Sequence, residues 1–153
     1  MVKELEILVF KNFLNKKECN KYIKKVPKVS KGTSSWDKRT SDITKDPIVE
    51  KVTKFLKKQT GLDLKIEEAQ TQNWNVGSKS RLHIHYRRPD NCYTSSLYLN
   101  DDFEGGEFFT VDEIMKPSAG TLTFFNGQKI WHGVKEVFKK DRKTIIFWWG
   151  INK

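Results

Sequence analysis

The chain holds three histidines, and two of them, His83 and His85, sit two residues apart in RLHIHY. Alternate residues of a β-strand point to one face, so this spacing makes a chelating pair. The third, His132, lies far along the sequence in IWHGV. Two ligands from one strand and one from a distant strand is what the mouth of a small β-barrel can supply, with positions left open for substrate and dioxygen. Three neutral imidazoles with an open position also describe a hydrolytic zinc site that makes hydroxide from water. Against both stands a plain alternative, that histidines on strands are satisfied core or surface residues. An H-x-H pair alone does not overturn it.

The elements that must position these residues fall into two halves. Residues 5–10, LEILVF, suit a short buried strand. A helix then starts at Asn15, where Glu18 three residues on completes a capping box, and Cys19, Tyr22, Ile23 and Val26 keep helical spacing up to Pro27. Residues 28–45 are polar and rich in Ser, Thr, Lys and Gly, which reads as a long loop able to order over a site. Asp46 caps a second helix with Pro47 in its first turn, a stripe of Ile48, Val49, Val52, Phe55 and Leu56, and Gly61 at its end. From Leu64 onward the pattern turns to short β-forming runs at 64–75, 79–86, 93–100, 106–111, 120–125, 130–137 and 142–149. With no helical pattern between them, they predict an antiparallel sandwich or barrel such as a jelly roll. Gly105-Gly106 reads as a hairpin turn.

At 153 residues, with 37% hydrophobic side chains and ten Phe, five Trp and four Tyr, the chain can bury one core. The expectation is one domain: a helical support region over 1–62 and a jelly-roll core over 63–153. Cys19 and Cys92 are the only cysteines and lack metal-type spacing, which predicts free thiols in a reducing compartment. No signal segment and no run of about 20 apolar residues is present, so a cytoplasmic protein with no membrane partner is expected. The formal charge of +10 would attract acidic or nucleic-acid partners. Clusters such as Lys16-Lys17, Lys24-Lys25 and Lys57-Lys58 flank apolar positions at helical spacing, however, and read equally as solvated helix faces. Charge alone names no partner, and oligomeric state is not legible.

Several longer stretches resemble the prolyl 4-hydroxylase branch of the Fe(II)- and 2-oxoglutarate-dependent oxygenases. VFKNFLNKKECNKYI resembles the branch's opening strand and helix, and Arg39-Thr40-Ser41 its short loop motif. EEAQTQNWNVG resembles the strand leading to the metal, with Trp74 where a tyrosine is usual. His83-Ile84-His85 falls where the family has H-x-D. TSSLYLNDDFEGGEF, KPSAGTLTFFNG and WHGVKEVFKKDRKTIIFWW resemble the segments that follow, the last with a distal histidine and a basic residue ten positions on.

The resemblance implies a mostly β fold with N-terminal helices, built as a double-stranded β-helix (jelly-roll) barrel. It implies Fe(II) held by His83, His85 and His132, a 2-oxoglutarate cosubstrate and dioxygen. Arg142 would bind the far carboxylate of 2-oxoglutarate, Tyr98 would share it through its hydroxyl, and Trp74 would line the same pocket. The implied reaction is hydroxylation of a C–H bond on a prolyl residue of a peptide or protein, with the basic surface favouring an acidic partner. Nucleic acid is the less favoured partner, since the last strand lacks an arginine-rich pattern. His85 at the carboxylate position leaves three possibilities open: a three-histidine iron site, a site for another metal, or a non-catalytic module. Asp90, in RRPDN, is a further potential ligand, though its spacing does not match H-x-D.

Overall fold

The computed structural model describes residues 6–29, 35–85 and 93–152. Asp90, Cys92 and part of the 28–45 segment lie outside the described residues. Helix α1 (Lys16–Ile23) opens on the expected capping box: Asn15 Oδ1 accepts from the Glu18 N–H at 2.9 Å, and Glu18 Oε1 accepts from the Asn15 N–H at 3.1 Å. It ends at Ile23, short of the Pro27 limit. Helix α2 (Pro47–Thr60) is capped by Asp46, which accepts from the Ile48 N–H, and it ends on Gly61 at φ 72. That left-handed conformation is the reason a glycine stands there. No described helix is long and apolar enough to cross a membrane.

The rest is antiparallel sheet. After β1 (Leu8–Phe10) and a 3-10 turn (Trp36–Arg39) come β2 (Thr40–Asp42), β3 (Leu64–Trp74), β4 (Ser80–His83), β5 (Tyr93–Tyr98), β6 (Glu104–Gly105) and β7 (Phe108–Thr110). They are followed by β8 (Ile114–Met115), β9 (Leu122–Phe125), β10 (His132–Val134), β11 (Val137–Phe138) and β12 (Arg142–Ile151). One sheet has six strands in the order β1-β9-β5-β12-β3-β2, a second has four in the order β4-β10-β7-β8, and β11 pairs with β6. This is the expected jelly-roll fold, with sheets that face each other without closing.

Two expectations are corrected. Residues 28–45 are not loop throughout, because Thr40–Asp42 pairs with Gln72–Gln70 and adds an edge strand to the large sheet. Polar composition hid it: Ser41 Oγ meets Thr71 Oγ1 at 2.6 Å, so this edge is held by hydroxyls rather than apolar side chains. Gly105-Gly106 is more than a hairpin turn. Gly105 pairs with Val137, and a Cβ there would meet the Glu136 carbonyl oxygen at 2.0 Å.

The large sheet uses its two faces differently. Toward the helices, Ala69, Leu97, Ile145, Phe147 and Trp149 join Val52 and Leu56 of α2 in one buried apolar cluster. Toward the small sheet, the alternate positions of the same strands are largely polar. Register along β12 pairs Arg142 with Trp74, and Thr144 with both Gln72 and Tyr98.

Candidate metal and cosubstrate site

The cavity between the sheets, about 400 Å³, is of the size that takes a small ligand. At one end lie the histidines. His132 on β10 is the direct cross-strand partner of His83 on β4. β4 stops at His83, before Ile84 and His85 of the expected 79–86 run, whose last residue lies outside the described residues. The His85 N–H donates instead to the Gly127 carbonyl at 2.8 Å. His85 still reaches the same point, and the available ligand atoms of His83, His85 and His132 all lie within 4.8 Å of one another.

Hydrogen bonds set which nitrogen of each ring is available. The Nδ1 of His132 lies 2.8 Å from the Ile130 carbonyl, and that of His83 lies 2.9 Å from the Arg81 carbonyl. A carbonyl only accepts, so in both rings Nδ1 carries the proton and Nε2 keeps its lone pair. His85 Nδ1 meets the Thr94 hydroxyl at 3.1 Å, which leaves its Nε2 facing the His132 Nε2 at 3.2 Å. Two nitrogens bound at right angles to one ion, each at a bond length of about 2.1 Å, would lie about 3 Å apart. The donor set therefore fits a metal. Burial between Phe108 and Phe125 pushes the pKa of His132 down to about 3, and the neighbouring His85 and His83 disfavour its charged form further. It is held in the neutral form that a metal requires.

The floor of the cavity carries the other candidates. Arg142, though in a lysine-rich stretch of sequence, is buried at 2% exposure. Its Nε donates to the Gly106 carbonyl and its Nη2 to the Tyr98 hydroxyl, both at 3.0 Å. Both acceptors are neutral, so among the described residues the cation has no anion beside it. Next along the same face, Thr144 Oγ1 is buried with no hydrogen-bond partner among the described residues. Of the two, Arg142 lines the cavity, and a carboxylate would supply the anion it lacks, so a dicarboxylate such as 2-oxoglutarate fits. Trp74 also lines the cavity, but its indole N–H is already engaged by Gln72 Oε1 at 3.0 Å, and the ring serves as wall.

A scan against family models matches residues 69–150 to the 2OG-Fe(II) oxygenase superfamily. The chain belongs to that superfamily. Its cofactor set is Fe(II) and 2-oxoglutarate, with dioxygen. Over 68 residues it is 40% identical to human prolyl 3-hydroxylase 2, an alignment covering 39% of this chain and 10% of that protein. The chain thus spans about a tenth of the length of the curated relatives it matches. Among solved structures, the oxygenase fold superposes on the viral collagen prolyl hydroxylase of Paramecium bursaria Chlorella virus-1 in complex with 2-oxoglutarate. There the TM-score is 0.74 with 20% identity over 96% of both chains. A prolyl hydroxylase from Trichoplax adhaerens, in complex with a peptide fragment of a hypoxia inducible factor, gives a TM-score of 0.67 with 16% identity over 95% of this chain and 83% of that one.

Within this oxygenase, Gln72 and Trp36 had no signal as site residues in the sequence, and Thr94 and Arg39 entered only within stretches that resemble the family. Each is an ordinary polar or aromatic residue until strand pairing brings it to the cavity. The His85–Thr94 contact also explains Gly127, where an added Cβ would meet His85 Nδ1 and Thr94 Oγ1, each at 2.6 Å.

Proposed function

We propose that the protein is a non-haem iron dioxygenase that couples decarboxylation of 2-oxoglutarate to hydroxylation of a C–H bond on a prolyl residue of a peptide or protein. One observation carries this proposal: the three-histidine cluster shares a single cavity with Arg142, whose guanidinium is bonded to the Tyr98 hydroxyl. His83, His85 and His132 would hold the metal through Nε2. The bound iron would supply redox chemistry, in which one oxygen atom goes to the 2-oxo-acid, leaving as succinate and carbon dioxide, and the other to the substrate as C–OH. Arg142 would bind and orient the far carboxylate of 2-oxoglutarate, with Tyr98 and Thr144 donating their hydroxyls to it. Phe108, Phe125 and Trp148 line the cavity and keep water from its walls. The prolyl assignment is supported by the identity to prolyl 3-hydroxylase 2 and by the likeness to a prolyl hydroxylase that takes a peptide. Trp36 and Trp74, ring centroids 5.3 Å apart in an edge-on pair, offer flat surfaces suited to a pyrrolidine ring.

His85 in place of a carboxylate favours a second possibility, a site for another metal or a module that binds an anionic partner without turnover. An anaerobic titration with Fe(II) and then 2-oxoglutarate separates the two, with the visible charge-transfer band of a chelated 2-oxo-acid as readout. A band in the parent protein supports the oxygenase. A band only in His85→Asp means that the native site serves another metal, and no band in either variant sinks the cosubstrate assignment.

A further inference from the structure

Arg142 is matched by the expected cosubstrate, but a second arginine in the same cavity has no anion assigned to it. Arg39, at the end of the 3-10 turn, lines the cavity together with Lys79. Its Nη1 donates to Asn75 Oδ1 at 3.2 Å and to Ser78 Oγ at 2.8 Å, both neutral acceptors. Its Nε is buried without a partner among the described residues. Burial draws its pKa below the ordinary arginine value, with no nearby acid pulling the other way. The adjacent acid, Asp37, is exposed and accepts from Ser35 instead. Among the described residues, Lys79 has only a long, exposed contact with Glu136, at 3.9 Å. No described residue lining the cavity carries a carboxylate.

A cation partly withdrawn from water without a counter-charge loses hydration, and such groups are retained where a ligand supplies the charge. Arg39 is also well ordered for recognition. Its guanidinium lies 4.6 Å from the centroid of Trp36, and its anchors, Asn75 and Ser78, bond to each other at 2.8 Å. A guanidinium fixed in this way presents its remaining donors in a set direction, which suits the paired oxygens of a carboxylate.

We infer that Arg39, with Lys79 lining the same cavity, forms a carboxylate subsite at the cavity mouth that reads an Asp or Glu side chain near the target residue of a peptide substrate. This rests on the oxygenase function proposed above and adds to it the charge of the substrate. A peptide is favoured over nucleic acid because the two cations line one confined cavity together with the Trp36 and Trp74 rings. A phosphate backbone would call for a track of cations along a groove.

The test uses prolyl peptides in which one Asp is walked across the positions flanking the proline, each paired with its Asn isostere. Binding to the Fe(II)- and 2-oxoglutarate-loaded protein is followed without oxygen by tryptophan fluorescence, and succinate release with oxygen. At the best position the Asp peptide should bind roughly tenfold more tightly than the Asn peptide. The difference should appear in KM rather than kcat and shrink at high salt. It should fall to near parity in Arg39→Gln and partly in Lys79→Gln, an exposed substitution that leaves the 3-10 turn intact. Equal binding of every Asp and Asn pair by the parent overturns the inference. So does displacement of peptide by a single-stranded oligonucleotide without any Asp preference, which would assign the mouth to phosphate. Preferential binding of an Asp peptide with no succinate released would leave the subsite standing and sink the oxygenase function. Succinate release without Asp preference would do the reverse.

Discussion

The two faces of the large sheet are made from the same strands and do opposite work. On β12, Ile145, Phe147 and Trp149 point to the helices and are fully buried among apolar neighbours. Their alternates Arg142 and Thr144 are buried just as deeply, yet one is a cation facing neutral acceptors and the other a hydroxyl with no partner. The helix face gains stability from removing apolar area from water. The cavity face keeps unmatched donors that a ligand can use, at a cost to the free protein. Stability and function are thus divided by side-chain alternation within single strands.

The largest expected effect breaks the helix face. Phe147→Ala should cost about 3–5 kcal/mol of unfolding free energy, read from the urea midpoint, because it empties a closed core position. Breaking the cavity face should show in binding instead. Arg142→Ala is expected to weaken 2-oxoglutarate binding about a hundredfold, measured by anaerobic titration, with a far smaller change in thermal midpoint. If its stability loss matched that of Phe147→Ala, the division of labour would be wrong.

Smaller changes sharpen the comparison. Thr94→Val removes the hydroxyl that faces His85 Nδ1 and should lower metal affinity about 10- to 100-fold, whereas Thr94→Ser should retain it. Equal affinities for the two variants would remove Thr94 from the positioning of His85. Smallest of all, Thr144→Val should leave stability unchanged or slightly raised, since it deletes an unpartnered buried hydroxyl. It should still weaken 2-oxoglutarate binding by a few-fold, and a clear loss of stability would mean that the hydroxyl is satisfied in the free protein.

Much of this protein follows from local sequence signals. Asn15 with Glu18, and Asp46 with Pro47 and Gly61, delimit both helices because caps are satisfied within one or two turns of chain. The H-x-H spacing, the distal His132 and the run of β-forming segments already point to histidines gathered on a jelly roll. What only the tertiary structure decided is orientation and partnership. β12 carries apolar residues on both faces, Ile146 and Trp148 on one and Ile145 and Phe147 on the other, so periodicity alone cannot tell whether Arg142 points inward; that follows from its pairing with β3 and β5 and from the helices that cover the other side. The seat of His85 on Gly127 and Thr94, and that of Arg39 on Asn75 and Ser78, arise from contacts between segments far apart in the chain. Spacing along a sequence reports which side chains share a face, but which face meets a cavity is set by long-range register.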